Sequence, residues 1–377
     1  MCIRDSLLTK ELRAQGGIVV TASHNPREWN GLKFLSARGL YLDAGEVEEF
    51  LDIYHQGEFA FVRSDKHRVL LAEDRPTRHH LGRLLKALDV ETIRRAKIRV
   101  AADCANGAGA MLMPEFLEAL GCEATWINAT PDGTFAHQSE PVPENLGELC
   151  RSVREAGADV GFAQDADADR LAIVDEKGEP LGEELTLALA AEFVLGRTKG
   201  PIVTNVSTSR AIDDIGRKHG VAVIRAKTGE INVVERLLGL PEPAAIGGEG
   251  NGGVILPAVH PCRDSFAAMG LILELMASTG RPLSDLRRDV PAYVLLKDKI
   301  PGTREQAARL IRGLRRKYEG RASVSLLDGL KVEWPNRWVL VRPSNTEPII
   351  RLNVEARTRA EAEAALAALK EDLEGEA

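Results

Sequence analysis

Short apolar runs, punctuated by glycine-rich and polar turns, alternate along this chain with stretches whose apolar residues recur at helical spacing. Residues 16–22 (GGIVVTA) read as a buried strand ending in a polar turn that carries Ser23 to a loop tip. Helices are expected over 44–53, where acidic residues suit the first turn, and between 75 and 88. A strand at 98–102, a turn at 106–109, a helix over 111–120 closed by Gly121 and a strand at 122–127 form a βαβ unit, which requires parallel strands. Strands at 158–163 and 171–175 bracket an acidic run. The apolar run 185–195, interrupted by Thr186 and Glu192, reads as a core-facing helix.

A second α/β unit follows, with a strand at 201–206, a helix over 209–219 and a strand at 221–226. A glycine-rich loop and an apolar helix over 265–277 complete it. Beyond a transition at 282–291 the pattern changes. An arginine-rich helix over 304–318, strands at 322–326, 338–342 and 349–355, and an alanine-rich helix capped by Thr358 read as a small α+β domain.

A length of 377 residues exceeds what one hydrophobic core supports, so two to four domains are expected. The net charge of −7 argues against a nucleic-acid or anionic-membrane partner, because phosphate backbones call for a basic surface. Positive charge for an anionic substrate must then be local. The five cysteines are odd in number and lack a C-x-x-C pair, which reads as reduced thiols rather than a disulfide frame or zinc site. With no membrane-length apolar run and no signal-peptide core, the cytoplasm is the expected compartment.

Asp165, Asp167 and Asp169 alternate with alanine, which brings three carboxylates close together on an extended backbone. Such crowding is unfavourable without a cation, and Mg²⁺ suits all-oxygen ligands while keeping positions open for water or phosphate. Arg170 would stand beside the metal as a phosphate ligand. A solvated acidic loop and a structural Ca²⁺ site remain as alternatives; the glycine and distal glutamate of an EF-hand are absent. Ser23 sits in Thr21-Ala22-Ser23-His24-Asn25-Pro26, either a plain hydrogen-bonded turn or a nucleophile awaiting activation. His24 as its base is disfavoured, since neighbours in sequence rarely point at one another.

Glycines 247, 248, 250, 252 and 253 surround Glu249, in neither a nucleotide P-loop nor a dinucleotide fingerprint. That reads as an ordinary turn, or as a mobile frame whose carboxylate accepts hydrogen bonds from sugar hydroxyls. Arg342, Ser344, Asn345 and Thr346 collect guanidinium, hydroxyl and amide donors at a strand end, as a phosphate site or a capped turn between prolines. His260 and the pair Arg263-Asp264 precede a helix and read first as helix entry and ion pairing.

In their order and spread, the serine loop, DADADR, GGEGNGG and RPSNTEP resemble the alpha-D-phosphohexomutases, and the segment from Asn30 to Lys33 also fits. The resemblance covers essentially the whole chain. It implies three related α/β domains with mixed sheets and a small C-terminal α+β domain around a central cleft. The expected divisions are 1–92 (phosphoserine), 93–196 (metal), 197–294 (sugar) and 295–377 (phosphate). Chains of this family carry more residues ahead of the serine loop, so a shortened first domain is expected.

The resemblance also implies roles. Ser23 carries the phosphoryl group and joins Asp165, Asp167 and Asp169 around Mg²⁺. Lys33 and Arg170 serve the transfer, Glu249 and Asn251 bind sugar, and Arg342, Ser344, Asn345 and Thr346 grip the phosphate that is not reacting. A hexose 1,6-bisphosphate is the implied intermediate and activator. Many members carry Ser and His where Asn251 and Gly253 stand, and this variation is similar to archaeal phosphoglucosamine mutases. Glucosamine phosphate is therefore the expected substrate, with glucose or mannose phosphates next, for a monomer or homodimer. An inactive sugar-phosphate-binding fragment and a metal-dependent phosphatase are the competing readings.

Overall fold

The β-branched run at 16–20 forms a strand, Gly16–Val20 (β1), paired antiparallel with Leu32–Ser36 (β2) so that Val20 lies opposite Leu32. Alternation decides which face is covered: Val19 and Leu35 are buried against Tyr41, whereas Ile18 and Val20 are 63% and 70% exposed. The strand expected to be buried is thus covered on one face only. A computed structural model describes residues 2–25, 27–61, 63, 76–344 and 347–375. The helix Ala44–Gln56 starts at Asp43, whose carboxylate accepts the Glu46 N–H while Glu46 reaches back to the Asp43 N–H.

By packing, the chain divides into two units, Met1–Thr186 with Gly252–Ser284 and Leu187–Asn251 with Asp285–Ala377. In the first, Arg99–Asp103 (β3), Glu123–Ile127 (β4), Val160–Gln164 (β5) and Leu171–Val174 (β6) form a sheet of order β4-β3-β5-β6. β3 runs parallel to β4 and β5, and β6 returns antiparallel, which makes β5–β6 a hairpin with the acidic run at its tip. The helix Gly147–Ala156, which the apolar pattern had not brought to notice, buries Leu149, Cys150 and Val153 in the same core as Ala101 and Ala163. Gly253–Ile255 (β10) leads to the helix Ser265–Thr279, buried from Ser265 through Met276 and capped by Asp264.

In the second unit, Ile202–Asn205 (β7) runs parallel to Val223–Ala226 (β8) and to Ile246–Glu249 (β9). The C-terminal part is a five-stranded antiparallel sheet, not the three strands expected. Val294–Pro301 (β11), Ser323–Ser325 (β12), Leu330–Glu333 (β13), Arg337–Pro343 (β14) and Ile349–Ala356 (β15) take the order β11-β15-β14-β13-β12. β11 escapes notice in the sequence because no residue of it is fully buried. The helices Arg304–Tyr318 and Arg359–Gly375 pack on this sheet through Leu310, Leu314 and Leu369. The architecture is α/β, with mixed sheets and a C-terminal α+β part.

Candidate active site

The acidic run does not lie on an extended backbone. It is a tight turn between Gln164 and Leu171, with Ala168 in the left-handed region at φ +57°. One Asp165 oxygen nucleates the turn by accepting the N–H groups of Asp169 and Arg170 at 3.0 and 3.1 Å. Curling, rather than the pleat, brings carboxylate oxygens of Asp165, Asp167 and Asp169 within 4.8 Å of one another, all buried. Gly107 lies against this turn, where a Cβ would come 2.4 Å from the Ala166 carbonyl oxygen.

The charges are unevenly balanced. Burial, then Asp169 and Asp167, push the Asp165 carboxyl well above its usual range. Burial acts on Asp169 as well, but Arg263, Lys33 and Arg170 together hold it below the usual carboxylate range. Arg263 Nη2 lies 2.5 Å from Asp169 Oδ2, and Lys33 Nζ lies 2.8 Å from Asp167 Oδ2. Asp165 Oδ2 and Asp169 Oδ1 are buried and accept no hydrogen bond among the described residues, with Arg170 Nε no nearer than 3.7 and 3.8 Å. Buried oxygens so left are what a divalent cation with oxygen ligands would satisfy, and the cluster fits one.

The serine loop is tied to this cluster. Ser23 has φ +55°, its N–H donates to Thr21 Oγ1 at 2.9 Å, and Thr21 Oγ1 donates to Asp167 Oδ2 at 3.1 Å. Contrary to the expectation for sequence neighbours, Ser23 Oγ lies 3.2 Å from His24 Nδ1, because the left-handed turn swings the two side chains together. Arg170 Nη2 lies 3.2 Å from the same nitrogen. A guanidinium only donates, so Nδ1 carries no hydrogen and accepts. Burial, then Arg170, lowers the His24 pKa from its ordinary value. Arg170 also faces Glu140 at 3.4 Å. Ser23, Lys33, Asp165, Asp167, Asp169 and Arg170 therefore meet within one unit. Thr21 and Glu140 were not expected there, since a single hydroxyl or carboxylate carries no sequence signal of its own.

In the second unit, Glu249 ends β9 and is 3% exposed. It is not in a mobile frame: Asn205 Nδ2 donates to it at 2.6 Å and the Gly229 N–H at 2.9 Å. Asn251 follows in the turn, half-buried. Arg342 lies on β14, where burial lowers its pKa and its Nε makes no hydrogen bond among the described residues. Ser344 is buried, and its Oγ accepts the Glu347 N–H at 3.3 Å. Asn345 and Thr346 lie outside the described residues.

Four family models match in succession. They are described as phosphoglucomutase/phosphomannomutase alpha/beta/alpha domains I, II and III, over residues 6–61, 78–178 and 182–293, and the C-terminal domain, over 303–371. The chain belongs to the alpha-D-phosphohexomutase family. As a phosphohexomutase it is an isomerase. It is 36% identical over 352 residues to the probable phosphoglucosamine mutase of Methanopyrus kandleri, covering 91% of this chain and 75% of that one. It is also 36% identical over 375 residues to the phosphoglucomutase/phosphomannomutase of Thermococcus kodakarensis, covering 97% and 81%. Among solved structures, a phosphoglucomutase/phosphomannomutase family protein from Burkholderia thailandensis superposes with TM-score 0.79 at 28% identity, covering 96% of this phosphohexomutase and 76% of that chain. Among the described residues, no helix is long and apolar enough to cross a membrane.

Proposed function

We propose that this phosphohexomutase interconverts hexose 6-phosphate and hexose 1-phosphate through phosphorylated Ser23 and a hexose 1,6-bisphosphate, with glucosamine phosphate as substrate. The observation that carries the reading is the Thr21 Oγ1 bond to Asp167, which ties the serine loop to the acidic cluster. Glucosamine is supported by the likeness to a probable phosphoglucosamine mutase; equal identity to a phosphoglucomutase/phosphomannomutase keeps glucose and mannose phosphates as the second reading.

Asp165, Asp167 and Asp169, with an oxygen of phosphorylated Ser23, would hold Mg²⁺, which when bound neutralises charge at the transferring phosphoryl group. Lys33 and Arg170 add positive charge on the chain's own side. When Ser23 is rephosphorylated, a bond from its Oγ to phosphorus forms as the sugar O–P bond breaks. The hydroxyl hydrogen passes to His24 Nδ1, which already lies within reach, and the departing sugar oxygen takes a proton from the Lys33 ammonium. Glu249 receives sugar hydroxyls, Asn251 stands beside it, and Arg342 with Ser344, Asn345 and Thr346 binds the second phosphate. A cytoplasmic setting fits the free thiols Cys104, Cys122, Cys150 and Cys262.

Phosphorus NMR with Mg²⁺, a hexose 1,6-bisphosphate primer and the 6-phosphates of glucosamine, glucose and mannose in turn tests the reading. Formation of the 1-phosphate, fastest for glucosamine and absent in Ser23→Ala, is the expected result. Inorganic phosphate growing alone would replace it with a phosphatase, and no reaction from folded protein would replace it with a binding fragment.

A further inference from the structure

Within the second unit, the C-terminal sheet and the helix Ala211–His219 border a cleft of about 590 Å³ that the proposed mutase chemistry leaves unused. Neither Glu249 nor Arg342 lines it. On its sheet wall Lys331 is 5% exposed, with Nζ 4.5 Å from the Trp338 ring centroid and 3.2 Å from Glu333 Oε1. The antiparallel register sets Ser325 opposite Lys331 and Ser323 opposite Glu333, so two hydroxyl side chains share that wall.

Burying an ammonium is costly, and here a like charge adds to the cost. Burial first, and Arg225 second, drive the Lys331 pKa down to about 8. Arg225 cannot turn away, because it donates to the Asn205 and Thr208 carbonyls at 2.9 and 2.7 Å and to Asp213 at 2.6 Å.

The carboxylates of the cleft are already engaged. Asp213 takes Arg225 and Glu333 takes Lys331. Asp214 is shared by Arg217, by the Tyr293 hydroxyl at 2.7 Å and by Arg357 at 3.9 Å. The Arg210 guanidinium donates to the neutral carbonyls of Pro335 and Trp334 and pairs with no carboxylate among the described residues, while its backbone N–H donates to Glu355. Five cations therefore line the cleft against three carboxylates.

We propose that this cleft binds a phosphorylated small molecule, its phosphate seated against Lys331 and Arg225 beside the Ser323 and Ser325 hydroxyls. The surplus of two cations matches the charge of about −1.5 to −2 on a phosphate monoester near neutral pH. Low-dielectric walls carrying a net positive charge focus the field on such an anion, and it relieves the Lys331–Arg225 repulsion. The volume falls within the range of about 300–1,000 Å³ usual for small-molecule sites, which leaves room for an organic body.

Indole N–H signals of the whole 377-residue chain, assigned with Trp334→Phe, test this during titration with inorganic phosphate and, separately, with ADP. Trp334 lines the cleft and Trp338 carries the Lys331 ammonium on its ring. Saturable shifts of these two signals, sparing Trp29 and Trp126, are expected with both probes if the phosphoryl group is recognised. Tighter binding of ADP assigns part of the recognition to the organic body. Lys331→Met and the solvent-exposed Ser323→Glu should each weaken binding by about tenfold or more, while Arg342→Ala leaves it unchanged. Absence of any saturable shift at about 10 mM of either probe, or shifts that survive both cleft substitutions, would overturn the proposal. Neither readout depends on mutase turnover.

Discussion

Thr21 Oγ1 accepts the Ser23 N–H at 2.9 Å and donates its own hydrogen to Asp167 Oδ2 at 3.1 Å, so one hydroxyl sets the serine loop against the acidic turn. A hydrogen bond to a charged group contributes about 1.5–3 kcal/mol. Thr21→Val keeps the shape and loses the bond, and should lower the mutase rate constant by about tenfold to a hundredfold, with Thr21→Ser restoring most of it. Steady-state kinetics beside an unchanged circular dichroism spectrum checks this.

Arg263 compensates Asp169 from the start of a buried helix, at 2.5 Å and with both groups nearly excluded from water. Removing Arg263 leaves Asp169 only the more distant Lys33 and Arg170, at 3.9 and 3.8 Å, so Arg263→Met should cost up to about 3 kcal/mol in urea unfolding without divalent cation. The double variant with Asp169→Asn should regain most of that stability. A single variant as stable as the parent would mean the pair is not compensating.

His137 ties the loop after β4 to β3, and both its ring nitrogens face acceptors: Nε2 meets Asp103 Oδ2 at 2.9 Å and Nδ1 the Gln138 carbonyl at 2.7 Å. Only the imidazolium donates from both, and the Asp103 hydrogen bond foremost raises its pKa to about 9. The folded state holds this proton more tightly than the unfolded chain does. The resulting stability is full below about pH 6.5 and is lost as pH rises through about 9. After a discount for partial exposure it amounts to about 1–2 kcal/mol, and His137→Gln should flatten the loss in unfolding midpoints across this window.

His260 behaves in the opposite sense. The Ser6 hydroxyl donates to the Gly39 carbonyl, so His260 Nε2, 2.7 Å from Ser6 Oγ, must be the donor to that oxygen. Burial chiefly, then Arg83 and Lys10, lower its pKa to about 3. Between about pH 6.5 and 3 the unfolded chain takes up a proton that the folded one refuses. Stability from this group should fall by up to about 1.4 kcal/mol per pH unit on acidification across that window. Thermal unfolding of His260→Gln should show a shallower acid dependence than the parent.

How far the site was legible depended on how local its cause was. Asp165, Asp167 and Asp169 announce a cation site by crowding alone, yet their alternation suggested a pleated strand where Asp165 instead curls the backbone into a turn. The helix Gly147–Ala156 was open to reading from Leu149, Cys150 and Val153 at helical spacing, whereas β11 was not, its residues being only partly covered. Arg263 was readable as an ion-pairing residue without its partner, which lies 94 residues away.

By itself the sequence determined the kind and order of most elements, the family and the donor types at each loop, because periodicity and short motifs act over a few neighbouring residues. Only the tertiary structure decided which donors meet. The pairing of Arg263 with Asp169, the fixing of Glu249 by Asn205 and the surplus charge around Lys331 arise from groups far apart in the chain. Their energies depend on burial and separation, and folding alone sets both.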